Sequence, residues 1–284
     1  MFHRRDFVRS AVSAITLGAL LVPGLAEAEA EYTLKYADSM PTTHYSVAAT
    51  KRWIEEVEKR SGGRIEIEHY PAEQLASARD LLDAVQDRIA DIAYIPAQYF
   101  AEKLPQATVG SLPIPEVNGD IGAIMHAYMD LGRGILDEVE LKDAGIKALR
   151  ASSTEPYNLH MTDKKIVTLA DLEGPKVRVG GNVQQETLAA LGGIPVTVTP
   201  PEIYNAMQNG TLDGTVFHLP SIHSYKLNDL VKCSTGNLNL GVFTSYTAIN
   251  RDLFDSMPED LQSSSRRRRE RPRGSAFVFR AQPR

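Results

Sequence analysis

Lys176-Val177-Arg178-Val179 carries the residue best suited to holding an anion. The Arg178 guanidinium stays charged at every relevant pH and offers a planar fork of donors to a carboxylate. The same run also fits an arginine that merely lies over a sheet surface. The residues alone leave both readings open. Other chemistry finds little support. His218 and His223 are five apart with no carboxylate at ligand spacing, so no zinc site is expected. Cys233 is the single cysteine, which excludes an intrachain disulfide, a paired-thiol redox motif and a thiolate zinc site. Gly62-Gly63 and Gly192-Gly193 read as helix stops, and neither forms a phosphate loop. Gly-x-Ser-x-Gly and His-Glu-x-x-His are absent. No nucleophile–base pair or metal cluster stands out, so no catalytic residue, cofactor or metal is expected from the residues.

The elements that must position Arg178 follow from periodicity. Glu31 to Ala37 alternates with Tyr32, Leu34 and Tyr36 on one face, a strand pattern. Val47, Thr50, Ile54 and Val57 recur at helical spacing, and Gly62-Gly63 ends that helix. Strands around Ile65–Ile67 and Asp91–Ile95 flank a helix at Leu81–Val85. This βαβαβ grammar predicts a mainly parallel sheet. A longer helix is expected over Ile121–Val139, then a strand over Ile146–Ala151. A second series starts after Ser153: a short helix capped by Thr168, the Arg178 strand, a helix over Gln184–Leu191, strands at Pro195–Val198 and Leu212–Val216, and a returning strand over Val242–Ile249. The fold class is α/β, with two lobes and chain crossings between them. The expected divisions are 29–153 for lobe one, 154–241 for lobe two, and 242–262 returning to lobe one.

Charge separates three segments. The 284 residues carry a formal charge of −5. Residues 1–28 contribute +1, residues 263–284 contribute +7, and the middle carries −13. An acidic globular part argues against nucleic acid as the partner. The first 28 residues read as an export signal: Arg4-Arg5-Asp6-Phe7, an apolar run, then Ala26-Glu27-Ala28 as a cleavage site, with Ala30 as the alternative. The Arg-Arg-x-Phe order resembles a twin-arginine signal; an ordinary Sec signal is the other reading. Export places the protein in the periplasm. At the other end, Met257 to Gln262 opens a helix that gives way to Ser263-Ser264-Ser265 and an arginine-rich run. That abrupt change is what an out-of-frame reading of GC-rich DNA produces; a basic tail for anionic lipid or nucleic acid is the alternative.

The order of several short motifs resembles one family, the periplasmic solute-binding proteins of tripartite ATP-independent (TRAP) transporters, of the C4-dicarboxylate-binding type. They are Leu34-Lys35-Tyr36-Ala37 with His44; Ser61-Gly62-Gly63-Arg64-Ile65 with Tyr70-Pro71 and Gln74-Leu75; Leu112-Pro113; Asp171 to Val179; Glu202 to Gln208; Leu212-Asp213-Gly214; and Met257 to Gln262. The resemblance implies two lobes around a cleft that closes on a small organic acid, which is then passed to a membrane permease. It implies that Arg178 pairs with the ligand carboxylate. A second arginine of the family falls at Asn158, in Glu155-Pro156-Tyr157-Asn158. An asparagine that follows the family's Asp-Gly pair is replaced by Phe217 or His218. Both departures remove polar anchoring and add aromatic surface, so a monocarboxylate with an apolar or aromatic body is expected. His44, Gln74, Tyr94 and Tyr99, at strand ends or in loops of lobe one, complete the candidate site. Family members continue past Gln262 with a long helix across both lobes; its interruption here implies an open apolar groove, low stability and weak closure. Alternatives are a binding lobe for an ABC-type importer or a sensor kinase, and an exported hydrolase.

Overall fold

The computed structural model describes residues 30–114, 120–236 and 238–266. The expected export signal and most of the arginine-rich end lie outside these residues. The chain forms two five-stranded sheets. The first contains β1 (Tyr32–Ala37), β2 (Ile65–Tyr70), β3 (Ile92–Ile95) and β4 (Ile146–Ser153), with α1 (Val47–Arg60), α2 (Leu81–Gln86) and α3 (Ile121–Arg133) between them. The second is built from β5 (Asn158–Met161), β6 (Lys176–Val179), α4 (Asn182–Ala190), β7 (Ile194–Thr197), α5 (Ile203–Gln208), β8 (Gly214–Phe217), α6 (Leu219–Ser224) and β9 (Cys233–Ser234). The chain then returns to the first sheet as β10 (Thr244–Asn250), followed by α7 (Arg251–Ser256) and α8 (Glu259–Ser265).

The strand order of lobe one is β2-β1-β3-β10-β4. β1 is parallel to β2 and β3, whereas β10 is inserted antiparallel between β3 and β4. Helices cover both faces. α1 buries Val47, Thr50, Trp53, Ile54 and Val57, the stripe that helical spacing requires. Burying each large apolar side chain of that stripe contributes about 1.5–3 kcal/mol. Gly62 and Gly63 end α1 with φ of +66° and +81°, a left-handed backbone that glycine adopts without steric cost. On this face Leu34, Tyr36, Ile65, Ile67, Phe254 and Leu261 join the α1 stripe in one core. On the other face α2 and α3 enclose Leu81, Leu82, Val85, Ile95 and Tyr128. Lobe two has the order β7-β6-β8-β5-β9, with β7, β6 and β8 parallel and β5 antiparallel.

Two segments cross between the lobes side by side. The Thr154 and Tyr157 amides donate to the Phe243 and Gly241 carbonyls at 3.1 and 2.9 Å. The Phe243 amide donates back to Thr154 Oγ1 at 2.9 Å.

Most expected elements are present, and the differences have local causes. The helix expected over Ile121–Val139 stops at Arg133, because Gly134 leaves helical backbone with φ −111° and ψ −116°. Its continuation is a π-turn, Asp137–Leu141, where Asp137 pairs with Lys147 at 2.5 Å and with Arg251. β5, α6, β9 and α7 are additional. β5 is only four residues, Asn158-Leu159-His160-Met161, too short for its polar–apolar alternation to mark a strand. Among the described residues no helix is long and apolar enough to cross a membrane.

Candidate functional site

β6 places Arg178. The strand lies between β7 and β8, with Arg178 in register with Val196 and Thr215. Strand alternation sends Val177 and Val179 to one face and Arg178 to the other. Arg178 is 1% exposed. Its Nε donates to the Val198 carbonyl at 2.8 Å and its Nη1 to the Val216 carbonyl at 3.5 Å. The guanidinium stands 4.8 Å from the Phe217 ring centroid, a cation–π contact. Among the described residues no carboxylate comes within 4.0 Å of it. A buried charge without a counter-charge is costly, so this arrangement favours an incoming anion.

Arg178 faces a cavity of about 390 Å³ between the lobes. That volume suits a small molecule. Lobe one contributes Asp38, His44, Tyr45, Tyr94, Tyr99 and Arg150; lobe two contributes Phe217, His218, Ser221 and Tyr225; the crossing segments contribute Glu155, Tyr157 and Phe243. Much of the wall is aromatic. The Tyr157 ring is near-parallel to His218 (centroids 5.4 Å, 11°) and to Phe243 (6.2 Å, 3°) and meets Phe217 edge-on at 5.8 Å. Tyr225 lies against Phe217 at 5.7 Å, and Tyr99 meets Phe243 at 5.4 Å. Burial raises the pKa of the Tyr94, Tyr99, Tyr157 and Tyr225 hydroxyls, so these walls stay uncharged.

The histidines of the cavity are neutral too. Burial pushes the His218 imidazole down to about 3, and the neighbouring His44 and His160 and the Arg178 charge act in the same direction. His44 is pushed down to about 4 by burial, against the opposing field of Asp38. The 3.9 Å approach of His218 Nε2 to Glu155 is therefore a polar contact and not an ion pair. Three arginines (Arg52, Arg150, Arg178) and two carboxylates (Asp38, Glu155) line the cavity, which leaves one positive charge in excess.

The two lobes touch around this space. The Tyr45 hydroxyl and His218 Nε2 share a hydrogen bond of 3.0 Å. The Tyr225 hydroxyl donates to Met40 Sδ at 3.5 Å. Gly181 packs so closely on Gln98 that a Cβ there would stand 2.5 Å from the Gln98 Cβ.

Of the residues expected in the site, Arg178, His44, Tyr94, Tyr99, Glu155, Phe217 and His218 come together on the cavity wall. Gln74 does not: it lies exposed in the loop after β2. Asn158 does not either. Its Nδ2 donates to the Pro156 carbonyl at 3.3 Å and its Oδ1 accepts from the Leu238 amide at 3.1 Å, so the amide is spent on the lobe-two loop. The expectation passed over Tyr45, Tyr157, Tyr225, Phe243 and Arg150. A signal existed for two of them: Tyr45 follows His44, and Tyr157 sits between Glu155 and Asn158. Among the described residues no group of three or more His, Cys, Asp or Glu could hold a metal.

Residues 36–267 match the family described as DctP: Bacterial extracellular solute-binding protein, family 7. A solute-binding protein of Albidiferax ferrireducens is 25% identical over 214 residues, covering 74% of this chain and 62% of that protein. The chain thus spans less than two thirds of that relative's length. A marine-metagenome TRAP solute-binding protein specific for aromatic acid ligands, solved with 3-hydroxybenzoate, superposes with a TM-score of 0.76 at 28% identity, covering 84% of this chain and 74% of that one. A TRAP solute-binding protein of Rhodoferax ferrireducens T118 with copurified benzoate gives a TM-score of 0.75 at 30% identity, covering 82% and 73%. With two lobes, a cleft between them and a match over most of its length, this chain belongs to family 7 of the bacterial extracellular solute-binding proteins, the family of the TRAP solute-binding proteins.

Proposed function

We propose that this protein is exported to the periplasm and captures a small organic acid between its lobes for uptake by a TRAP-type membrane permease, doing no chemistry on it. The observation that carries this reading is Arg178: a guanidinium 1% exposed, held by two main-chain carbonyls, with no protein carboxylate as partner. The ligand's carboxylate supplies the missing charge. The excess of one positive charge around the cavity matches one carboxylate better than two. The aromatic walls suit an apolar or aromatic body, and two structural relatives carry 3-hydroxybenzoate and benzoate. Arg178, Tyr99, Phe217 and Phe243 would hold the acid, with His44, Tyr94, Glu155 and His218 completing the enclosure.

Thermal melting with a ligand panel tests this. Benzoate, mandelate and phenylpyruvate at 100 times their dissociation constants should stabilise the fold by about 2.7 kcal/mol. Succinate and malate should bind far more weakly. Tight succinate or malate binding with no response to any aromatic acid would refute the proposed ligand class.

A further inference from the structure

The cavity holds a second guanidinium that the reading above does not use. Arg150, on β4, lines it from lobe one. Its Nε donates to Thr247 Oγ1 at 2.9 Å, its Nη2 to Thr50 Oγ1 at 2.8 Å and its Nη1 to the Ala49 carbonyl at 3.4 Å. The guanidinium also stands 5.2 Å from the Trp53 ring centroid. All three acceptors are uncharged oxygens. Among the described residues no carboxylate lies within 4.0 Å of Arg150. A guanidinium has five N–H donors; three are used by these oxygens and the Tyr36 hydroxyl beside it takes a fourth, so one Nη proton remains for another acceptor. Three bonds and an aromatic face fix its orientation in advance, which is what a selective donor requires.

The surroundings indicate which acceptor fits. Asp38 lines the same side of the cavity. It is buried, accepts from the Met40 amide at 2.9 Å and meets His69 Nε2 at 3.2 Å. Asp38 and Arg150 act with opposite sign on one group: burial raises the Tyr36 hydroxyl pKa, Asp38 adds to the rise and Arg150 opposes it. Lobe one therefore offers a donor and an acceptor of opposite charge on the same wall. A hydroxyl, which donates and accepts, suits this wall better than a second carboxylate.

We propose that Arg150 is a specificity-determining residue that reads a hydroxyl oxygen on the body of the bound acid, away from the carboxylate on Arg178. The inference rests on the proposed function and deepens it: the ligand class becomes hydroxylated aromatic monocarboxylates.

Calorimetric titration of the full chain with benzoate and with its 2-, 3- and 4-hydroxy derivatives tests this. At least one hydroxy isomer should bind about tenfold more tightly than benzoate, the gain of one charge-assisted hydrogen bond. In Arg150→Met that ratio should fall to about one, whatever the substitution does to benzoate itself. A structural tie between α1 and the sheet would weaken all four acids alike and leave the ratio unchanged, which would overturn the inference. If Arg150→Met does not fold, Arg150→Lys serves, and a ratio within twofold of the wild-type value overturns it. A wild-type protein that binds benzoate and gains nothing from any hydroxyl overturns the inference alone. A wild-type protein that binds no acid overturns the proposed function with it.

Discussion

The two walls of the cleft hold their arginines differently. On lobe two, Arg178 is buried inside a sheet and fastened by main-chain carbonyls of Val198 and Val216. Those acceptors belong to the fold and do not change when side chains do. On lobe one, Arg150 is fastened mainly by the hydroxyls of Thr50 and Thr247, with one longer bond to a carbonyl. One substitution at either threonine would alter that wall. The lesson is a division of labour: an invariant charge from one lobe for what every organic acid has, and an adjustable surface from the other for what distinguishes them.

The largest test of this comparison is Arg178→Met. Removing the buried charge should weaken the best ligand by at least about 100-fold in calorimetric titration. Arg178→Lys should recover little, because an ammonium cannot satisfy both carbonyls and fork a carboxylate. A loss under tenfold would mean that the two walls share the anchoring equally, and the comparison would fail.

Next comes the seam where the walls meet. In Gly181→Ala the new methyl would meet Gln98 Cβ at 2.5 Å and the Gln98 carbonyl at 3.1 Å. Neither is the free end of a side chain, so the lobes must part. Overpacking of this kind costs about 1–3 kcal/mol, here charged against the closed state. Affinity should fall about tenfold while the melting temperature without ligand stays near the parent value. A matching drop in both would place the strain inside one lobe rather than between the two.

Legibility in the sequence follows the same division. Arg178 could be singled out because its strand lies in a recognisable motif run. Phe217 and His218 were reachable by counting from Asp213-Gly214. Arg178 and Phe217 sit on β6 and β8, which pair in parallel, and His218 follows β8 directly, so local order predicts their neighbourhood. Arg150 sits between Leu149 and Ala151 in an ordinary strand, and its partners are 97 and 100 residues away. Nothing local marks it. Phe243 reaches the cavity because the crossing segments pair across 89 residues. Asn158 does not reach the cavity because its short amide is spent on the Pro156 carbonyl and the Leu238 amide, contacts that its own motif does not reveal.

Tyr45→Phe removes the lobe-one half of the 3.0 Å bond to His218. One neutral hydrogen bond contributes about 0.5–1.5 kcal/mol, so affinity should fall about fivefold, seen as faster ligand release in stopped-flow fluorescence. An unchanged release rate would remove this contact from closure.

Acidification should change affinity least. His44 on lobe one and His218 on lobe two are held neutral, with pKa values down to about 4 and about 3. In the unfolded chain both would titrate near 6.5. Between those limits the unfolded state takes up protons that the folded state refuses, so stability is full above about pH 6.5 and is lost as pH falls towards 4 and then 3. The melting temperature should therefore decline steadily from pH 7 to pH 4.5, and His218→Gln should flatten the decline. Over pH 7.5 to 5.5, however, neither histidine of the folded protein gains charge. Affinity for the acid should then stay within about twofold. A rise in affinity across that range would mean that a histidine becomes cationic in the cleft and helps hold the carboxylate. Anchoring would then no longer belong to Arg178 alone, and lobe one, through His44, could share it.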